Sequence, residues 1–415
     1  MAPAGWNLFR IYLRVLRAPQ APRMVVSMFI GRLPNGIFPL GIVFVLHRSS
    51  GSYSVSGTAL AALMLGTTCS APLRGRMVDR WGQSRTLVPL VLVQTVAMAG
   101  LLIVVSAGQS IWVLIPLVAA VGATSSTLGG SMRQTWPALV HSEEDLPVAY
   151  ALQALLEDLI SVTGPLIASL MLALAPPVTI LILAEIAALT GTTVFATAAV
   201  SRSAAGRATR SPSLLGALST QGMRTLVLTL AAAGTVIGML YIEVPAFAES
   251  TPNTTAGLLL SVMAGGSMVS GLCYGARTWA SGVDRRYVWL AGAFAATVAP
   301  LALARTALQL GVLLSFVGIA YAPRMISAYL LLDDLAPRNA LAEAYTWLVS
   351  ASGAGVALGS AIAGHLVHTG VRQALAVTAL CAAAGYAIAI ARRRTLKPAA
   401  EPRAHPSAAA PGSSS

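Results

Sequence analysis

Gly75-Arg76-Met77-Val78-Asp79-Arg80-Trp81-Gly82-Gln83-Ser84-Arg85 lies between two apolar stretches and reads as a short basic hairpin holding one carboxylate and two glycines. Arg74 just before it, with Arg76, Arg80 and Arg85 inside it, would keep this turn on the cytoplasmic side of a membrane, because juxtamembrane Lys and Arg are retained there during insertion. The surrounding residues decide what kind of chain carries it. Hydrophobic residues make up 56% of the 415 and charged residues 10%, too few charges to solvate the surface of a soluble protein of this size. A helix crossing the hydrocarbon core needs roughly 20 mostly apolar residues, and the chain reads as about twelve such stretches joined by short polar turns. The expected fold is an all-α integral membrane protein embedded in a lipid bilayer.

The net charge of +13 would suggest a nucleic-acid partner if the basic residues clustered on one face. They do not, and no such partner is expected. One set of alternate loops carries Arg10, Arg14, Arg17, Arg23, Arg74 to Arg85, Arg133, Arg202 to Arg224, Arg277, Arg285, Arg286, Arg324, Arg338 and the run Arg392 to Lys397; the other carries only Arg48, Arg305 and Arg372. This asymmetry places both termini in the cytoplasm and requires an even number of spans, as in a multi-pass protein of the plasma (inner) membrane. Cys69, Cys273 and Cys381 each stand alone in an apolar stretch, which argues against a disulfide or a zinc site. Arg32 and Pro34 interrupt the first apolar run and no small-residue cleavage site follows. The run therefore reads as an uncleaved first span behind a basic interfacial helix containing Trp6, Phe9 and Tyr12.

The longest polar interruption, 201–222, has the serine, proline and arginine content of a flexible linker. It divides the chain into a basic N-terminus (1–23), a first six-helix bundle (24–200), the linker, a second bundle (223–392) and an irregular tail (393–415). The halves look like diverged copies. Gly75 followed by Asp79-Arg80 corresponds to Gly275 followed by Asp284-Arg285, Arg133 to Arg324, and Ala149-Tyr150 to Ala344-Tyr345, at offsets of roughly 190 to 205 residues. Paired six-helix repeats are a common transporter architecture, with the substrate site between the halves near the bilayer midplane.

Gly75-x-x-x-Asp79-Arg80-x-Gly82 resembles the signature loop of the major facilitator superfamily of secondary transporters, with Gln83 and Ser84 standing where that family usually has basic residues. Thr163-Gly164-Pro165 in the fifth span looks like part of a motif of the superfamily's exporter branch, in which glycines and a proline bend the helix at the interface of the halves. Ala168 and Ser169 replace further glycines there. Glu343-Ala344-Tyr345-Thr346-Trp347, followed by Gly353, Gly355, Gly359 and Gly364, is similar to the glycine-rich eleventh helix of bacterial exporters. The resemblance implies a twelve-helix fold in two pseudo-symmetric bundles. It implies a cytoplasmic gating loop of Gly75, Asp79, Arg80, Gly82 and Arg85, and helix-bend or interface residues Gly164, Pro165, Gly355 and Gly359. The loop's own chemistry permits a latch between the halves: the glycines allow close approach and a tight turn, and Asp79 can pair with an arginine or cap a helix. A topological turn with no moving part is the alternative.

Ionisable side chains inside spans are costly and usually face a cavity. Arg32, beside Pro34, Asn35 and Gly36, is expected to break the first helix and offer donors near mid-membrane; Arg32 and Asn35 are substrate-cavity candidates, with a fixed ion pair as the competing role. Glu157 and Asp158 are candidates for proton coupling, since a carboxylate in a poorly solvated cavity can take up and release a proton as the cavity opens to either side. Adjacent helical residues point about 100° apart, so one of the two faces the cavity; a static bridge to Arg133 or Arg32 is the alternative. Glu243 is a further cavity candidate, Glu185 a weaker one. Glu343 suits a helix dipole. His365 and His368 share a helix face but lack a third ligand, so no metal site is expected.

The only lysine is Lys397, in the tail, so no phosphate-binding loop is available. No cofactor is expected, and a proton gradient is the implied energy source. The function expected is a proton-coupled exporter (antiporter) of small amphipathic molecules, acting as a monomer by rocking two bundles around a central cavity. An importer of a small polar solute is the alternative within transport. A polytopic enzyme would need convergent His, Asp or Ser residues at one boundary, which five scattered histidines do not supply; a sensor would need a soluble output domain.

Overall fold

The computed structural model describes residues 14–397 except 109, 141, 143–144, 199, 202–216, 251–253, 278, 280 and 337–340. The expected interfacial helix with Trp6, Phe9 and Tyr12, most of the 201–222 linker and the tail beyond 397 lie outside the described residues. Within them the architecture is all-α, with twelve segments long and apolar enough to cross a bilayer. Thirteen α-helices build these spans: α1 (Ala21–Ser50), α2 (Tyr53–Trp81), α3 (Gln83–Ser106), α4 (Ile111–Thr124), α5 (Leu128–Leu139), α6 (Leu146–Leu174), α7 (Pro177–Ala196), α8 (Gln221–Phe247), α9 (Thr254–Gly275), α10 (Val283–Val298), α11 (Ala307–Leu335), α12 (Leu341–Leu366) and α13 (Val371–Ala391). α4 and α5 together make the fourth span.

The stretch expected to be a hairpin is mostly helix. α2 runs to Trp81, α3 begins at Gln83, and the turn is Gly82 alone, at φ 83° and ψ 162°, a conformation open in practice only to glycine. Gly75 sits inside α2, where an added Cβ would meet nothing within 4 Å, so close approach at Gly75 is absent here. The expected break in the first span is also absent. α1 stays helical through Pro34 and Pro39, because neighbouring helices pack around it and hold the backbone where proline removes a hydrogen bond.

The break falls instead in the fourth span, at residues 125–127. Arg74, expected to mark a loop, is buried and supplies what that break lacks. Its guanidinium donates to the Ser125 carbonyl oxygen, to the Ser125 hydroxyl at 2.8 Å and to the Thr67 carbonyl oxygen at 2.8 Å. Carbonyls freed from a helix ladder inside a membrane need such a donor.

Three cores hold the molecule together. The face carrying both ends of the described chain (the terminal face) has two separate ones. Val15, Met24, Met28, Val78, Trp136 and Leu152 belong to the first, and Met223, Leu230, Tyr287, Leu332, Leu348 and Leu396 to the second. The opposite, far face has a single core that joins both halves, with Val43, Leu60 and Leu181 packed together with Met239, Leu260 and Leu301. The halves are therefore fused on the far side and parted on the terminal side.

α2 against α12 and α6 against α9 make the main seams between halves. Backbones touch closely there: a Cβ on Gly364 would lie 2.7 Å from the Tyr53 carbonyl oxygen. Polar contacts also cross the far face, His47 to Glu249 at 3.2 Å, Ser54 to His365 at 3.1 Å and Ser52 to His368 at 3.5 Å. The tail expected from residue 393 starts as a packed 3-10 turn, Arg393–Leu396, because Leu396 is buried in the second terminal-side core and Thr395 bonds Thr225 at 2.9 Å.

Candidate functional site

The gap closes where the terminal-side cores give way to the shared far-side core, and the charged residues inside the spans collect at that level. On α1 the first core ends at Met28 and the shared core begins at Ile37; Arg32 and Asn35 fall between. On α6 the corresponding limits are Leu152 and Ala168, and Glu157 and Asp158 fall between.

Arg32 and Glu157 form an ion pair at 2.6 Å, with side chains 24% and 31% exposed. Gln153, one turn earlier on α6, donates to the same Glu157 oxygen at 3.0 Å and to the Gly129 carbonyl at 2.9 Å, and receives the Trp136 indole N–H at 3.0 Å. The pair is thus oriented by a buried amide anchored on α5. Gly129 also leaves room for the guanidinium, since a Cβ there would lie 2.8 Å from the Arg32 Cζ. Asn35 is exposed at mid-helix.

Asp158 is exposed and has no hydrogen bond or ion pair recorded among the described residues. It shares a helix face with Pro165 and Ser169, because seven and eleven residues are close to whole numbers of turns. Pro165 and Ser169 are the residues that Gly257 of α9 packs against. Asp158 therefore looks into the cleft where α6 and α9 part. The two adjacent carboxylates do different things, Glu157 held within its own half and Asp158 facing the seam.

Tyrosines line the opposing wall. Tyr329 on α11 and Tyr345 on α12 stack at 5.8 Å with planes 17° apart, and the Tyr345 hydroxyl donates to Asp333 at 3.0 Å. Tyr329 lies within electrostatic range of Arg133 and Glu157 across the gap. Tyr321, two turns earlier on α11, packs against the shared core with its ring 5.9 Å from Phe294. One wall is charged and the other aromatic with hydroxyls. Tyr321 and Tyr329 are not among the residues the sequence singles out, and Arg133, an alternative bridge partner for the α6 carboxylates, leaves that pairing to Arg32; hydroxylated aromatics in otherwise aliphatic spans are the available signal.

Other candidates fall elsewhere. Glu243 is fully buried, between α8 and α13, accepting from the Thr378 hydroxyl at 2.6 Å; it does not reach the gap, because its face of α8 is covered by α13. Glu185 is buried between α7 and α3, bonded by Gln94 at 2.9 Å and Thr95 at 2.8 Å. Asp79 accepts from Gln134 at 3.2 Å, within its own half. Arg80 and Arg85 are exposed, so the expected loop bridges nothing to the other half in this open arrangement. Gln83, in a usually basic position, is buried and donates to the Ser131 carbonyl at 3.0 Å. Gly164 packs against Gly36 within the first half, while Pro165 touches α9 across the seam. Gly355 and Gly359, expected at the interface, pack against Ala231 and Thr235 of α8 in their own half; the α12 glycines meeting the other half are Gly353, against Thr68, and Gly364.

No protein-family model matches the chain, and no curated protein matches it by sequence. Solved structures do match. A bacterial homologue of the iron transporter ferroportin in its inward-facing state is 15% identical with a TM-score of 0.69, over 92% of this chain and 99% of that one; its outward-facing form scores 0.60. The nucleoside transporter NupG is 12% identical with a TM-score of 0.71, over 90% and 98% of the two chains. The human organic anion transporter MFSD10 (TETRAN) is 14% identical with a TM-score of 0.60, over 92% and 100%. At these identities the likeness establishes the architecture, and the architecture is the major facilitator fold.

Proposed function

We propose that this chain of major facilitator fold is a secondary active transporter, specifically a proton-coupled exporter (antiporter) of small amphipathic molecules. Two six-helix halves rock about a site at mid-membrane. The observation that carries the reading is the Arg32–Glu157 pair at 2.6 Å, placed where the gap ends and facing the tyrosines of the other half. An ionised Glu157 holds Arg32. A proton on Glu157, or a substrate group that competes for either partner, releases the pair and alters the balance between open and closed arrangements.

The aromatic wall supplies apolar surface with hydroxyl acceptors and the charged wall supplies polar anchors, a combination suited to cargo with one face of each kind. Asp158 is a second carboxylate placed to exchange protons with water in the gap. The export direction rests on the resemblance of Thr163-Gly164-Pro165 to the exporter motif. The distribution of arginine supports a cytoplasmic terminal face; on this reading the arrangement is inward-open, in a multi-pass protein of the plasma membrane. The chain acts as a monomer, with its own gap as the pathway, and needs no cofactor beyond the proton gradient.

Purified protein in proteoliposomes with an imposed pH gradient tests this. A panel of cationic, neutral and anionic amphipathic compounds should reveal at least one whose efflux is driven by the gradient and abolished by a protonophore. Gradient-independent facilitated diffusion of every transported compound would overturn proton coupling.

A further inference from the structure

A second charged feature lies away from the gap, on the terminal face of the second half. A cavity of about 440 Å³ is lined by Asp284, Arg285, Val288, Trp289, Arg393, Arg394 and Lys397. That volume is within the range of small-ligand sites. Four cations face one carboxylate, and the carboxylate sits at the start of a helix. Asp284 stands in the first turn of α10 with an oxygen beside Gly282, where a Cβ would lie 2.6 Å from it, so the positive end of the helix offsets part of its charge. Among the described residues no ion pair involves Arg285, Arg393, Arg394 or Lys397.

The cations come from two elements held in fixed relation. Arg285 is on α10, one turn before Trp289, and the others are on or just after the Arg393–Leu396 turn. That turn is fastened by the buried side chain of Leu396 and by the Thr395 to Thr225 hydrogen bond of 2.9 Å. Like charges are therefore held together at a cost that an anion would offset.

The apolar residues bordering the cluster indicate which anion. Trp289 is 76% exposed and Ile390 on α13 is 40% exposed, both on membrane-spanning helices next to the cations. An indole at this level is the usual marker of a headgroup boundary, and basic pockets between spans at that boundary take lipid phosphates. We propose that this pocket binds the phosphate of an anionic phospholipid, with Arg285, Arg393, Arg394 and Lys397 around the headgroup and the acyl chains lying along Trp289 and Ile390.

The test uses the full-length protein in a neutral detergent, titrated with phosphatidylglycerol or phosphatidylcholine and followed by native mass spectrometry. Phosphatidylglycerol should bind the wild type, and the Arg393→Gln/Arg394→Gln double variant should bind it roughly thirtyfold more weakly, given what one juxtamembrane cation contributes. Arg285→Gln, on a different element, should weaken it severalfold. Arg17→Gln, a cation on the terminal face of the other half, should leave binding unchanged, and phosphatidylcholine should bind all four proteins equally weakly. Equal phosphatidylglycerol affinity in wild type and both pocket variants would overturn the site. If inorganic phosphate displaces the lipid completely, or binds where the lipid does not, the pocket belongs to a soluble anion and the lipid assignment fails.

Discussion

Arg32 on α1 and Glu157 on α6 meet at 2.6 Å at the level where the two halves stop being separate and start sharing a core. Both side chains are about a quarter to a third exposed, so the pair is wet enough to open and shielded enough for its charges to matter. Gln153 fixes the Glu157 carboxylate from one side only.

Replacing Glu157 with Gln should leave a folded protein, because the freed Arg32 can be hydrated in the gap; the expected loss of stability is about 1 kcal/mol. Gradient-driven flux should disappear while exchange without a gradient persists. Flux in proteoliposomes at several imposed pH differences checks this, and unaltered coupling would remove Glu157 from the mechanism. Asp158→Asn separates the roles of the neighbouring carboxylates, since it should reduce coupling without disturbing the Arg32 pair.

The gap itself predicts labelling. Cysteine at Asn35, in a background lacking Cys69, Cys273 and Cys381, should react with a membrane-impermeant maleimide from the terminal-face side, whereas cysteine at the buried Ser360 should not. Adding Gly364→Val, which wedges α2 from α12, should slow Asn35 labelling severalfold by disfavouring closure of the far face. Equal rates with and without the wedge would show that this seam does not set the equilibrium.

Arg74 should be among the most sensitive positions for stability. Arg74→Leu leaves the Ser125 carbonyl at the break without its donor and takes one donor from the Thr67 carbonyl, which keeps the Ser70 hydroxyl at 3.3 Å, a cost of about 2 to 4 kcal/mol from two or more lost charge-assisted bonds. Arg74→Lys should recover only part, since one ammonium cannot reproduce the planar fork that reaches both carbonyls. Thermal unfolding in detergent gives the ranking wild type, Lys, Leu.

The two glycines of the opening segment should behave oppositely. Gly82→Ala forces a side chain into a glycine-only conformation and should cost about 1 to 3 kcal/mol, lowering the unfolding temperature and the yield. Gly75→Ala, inside a helix with open space at the Cβ position, should stabilise by about 0.5 to 1 kcal/mol. If Gly75→Ala is stable yet impaired in transport, close approach at Gly75 occurs in the other arrangement of the halves.

Much of the architecture was legible in the chain because a bilayer imposes a length and a polarity on every span. Twelve apolar stretches lead to twelve spans. A polar residue's role is hidden from the sequence where its partner lies far away in the chain. Arg74 reads as a loop marker but is buried against Ser125, and Glu243 reads as a cavity residue but is covered by Thr378. The cluster of Arg32, Pro34, Asn35 and Gly36 in α1 reads as a break, yet packing keeps the helix whole, while three small hydroxyl residues at 125–127 form the break instead.

Hydrophobicity, span length and the placement of arginine, all readable one residue at a time, determined that this chain is an all-α membrane protein. Tertiary structure alone decided which half each charge serves, that Glu157 rather than Asp158 holds Arg32, and that tyrosines face the charged wall. Spans follow from the local free energy of transferring side chains into lipid. Pairing depends on helix rotation and on contacts between residues more than a hundred positions apart, as with Arg32 and Glu157, which no local pattern encodes.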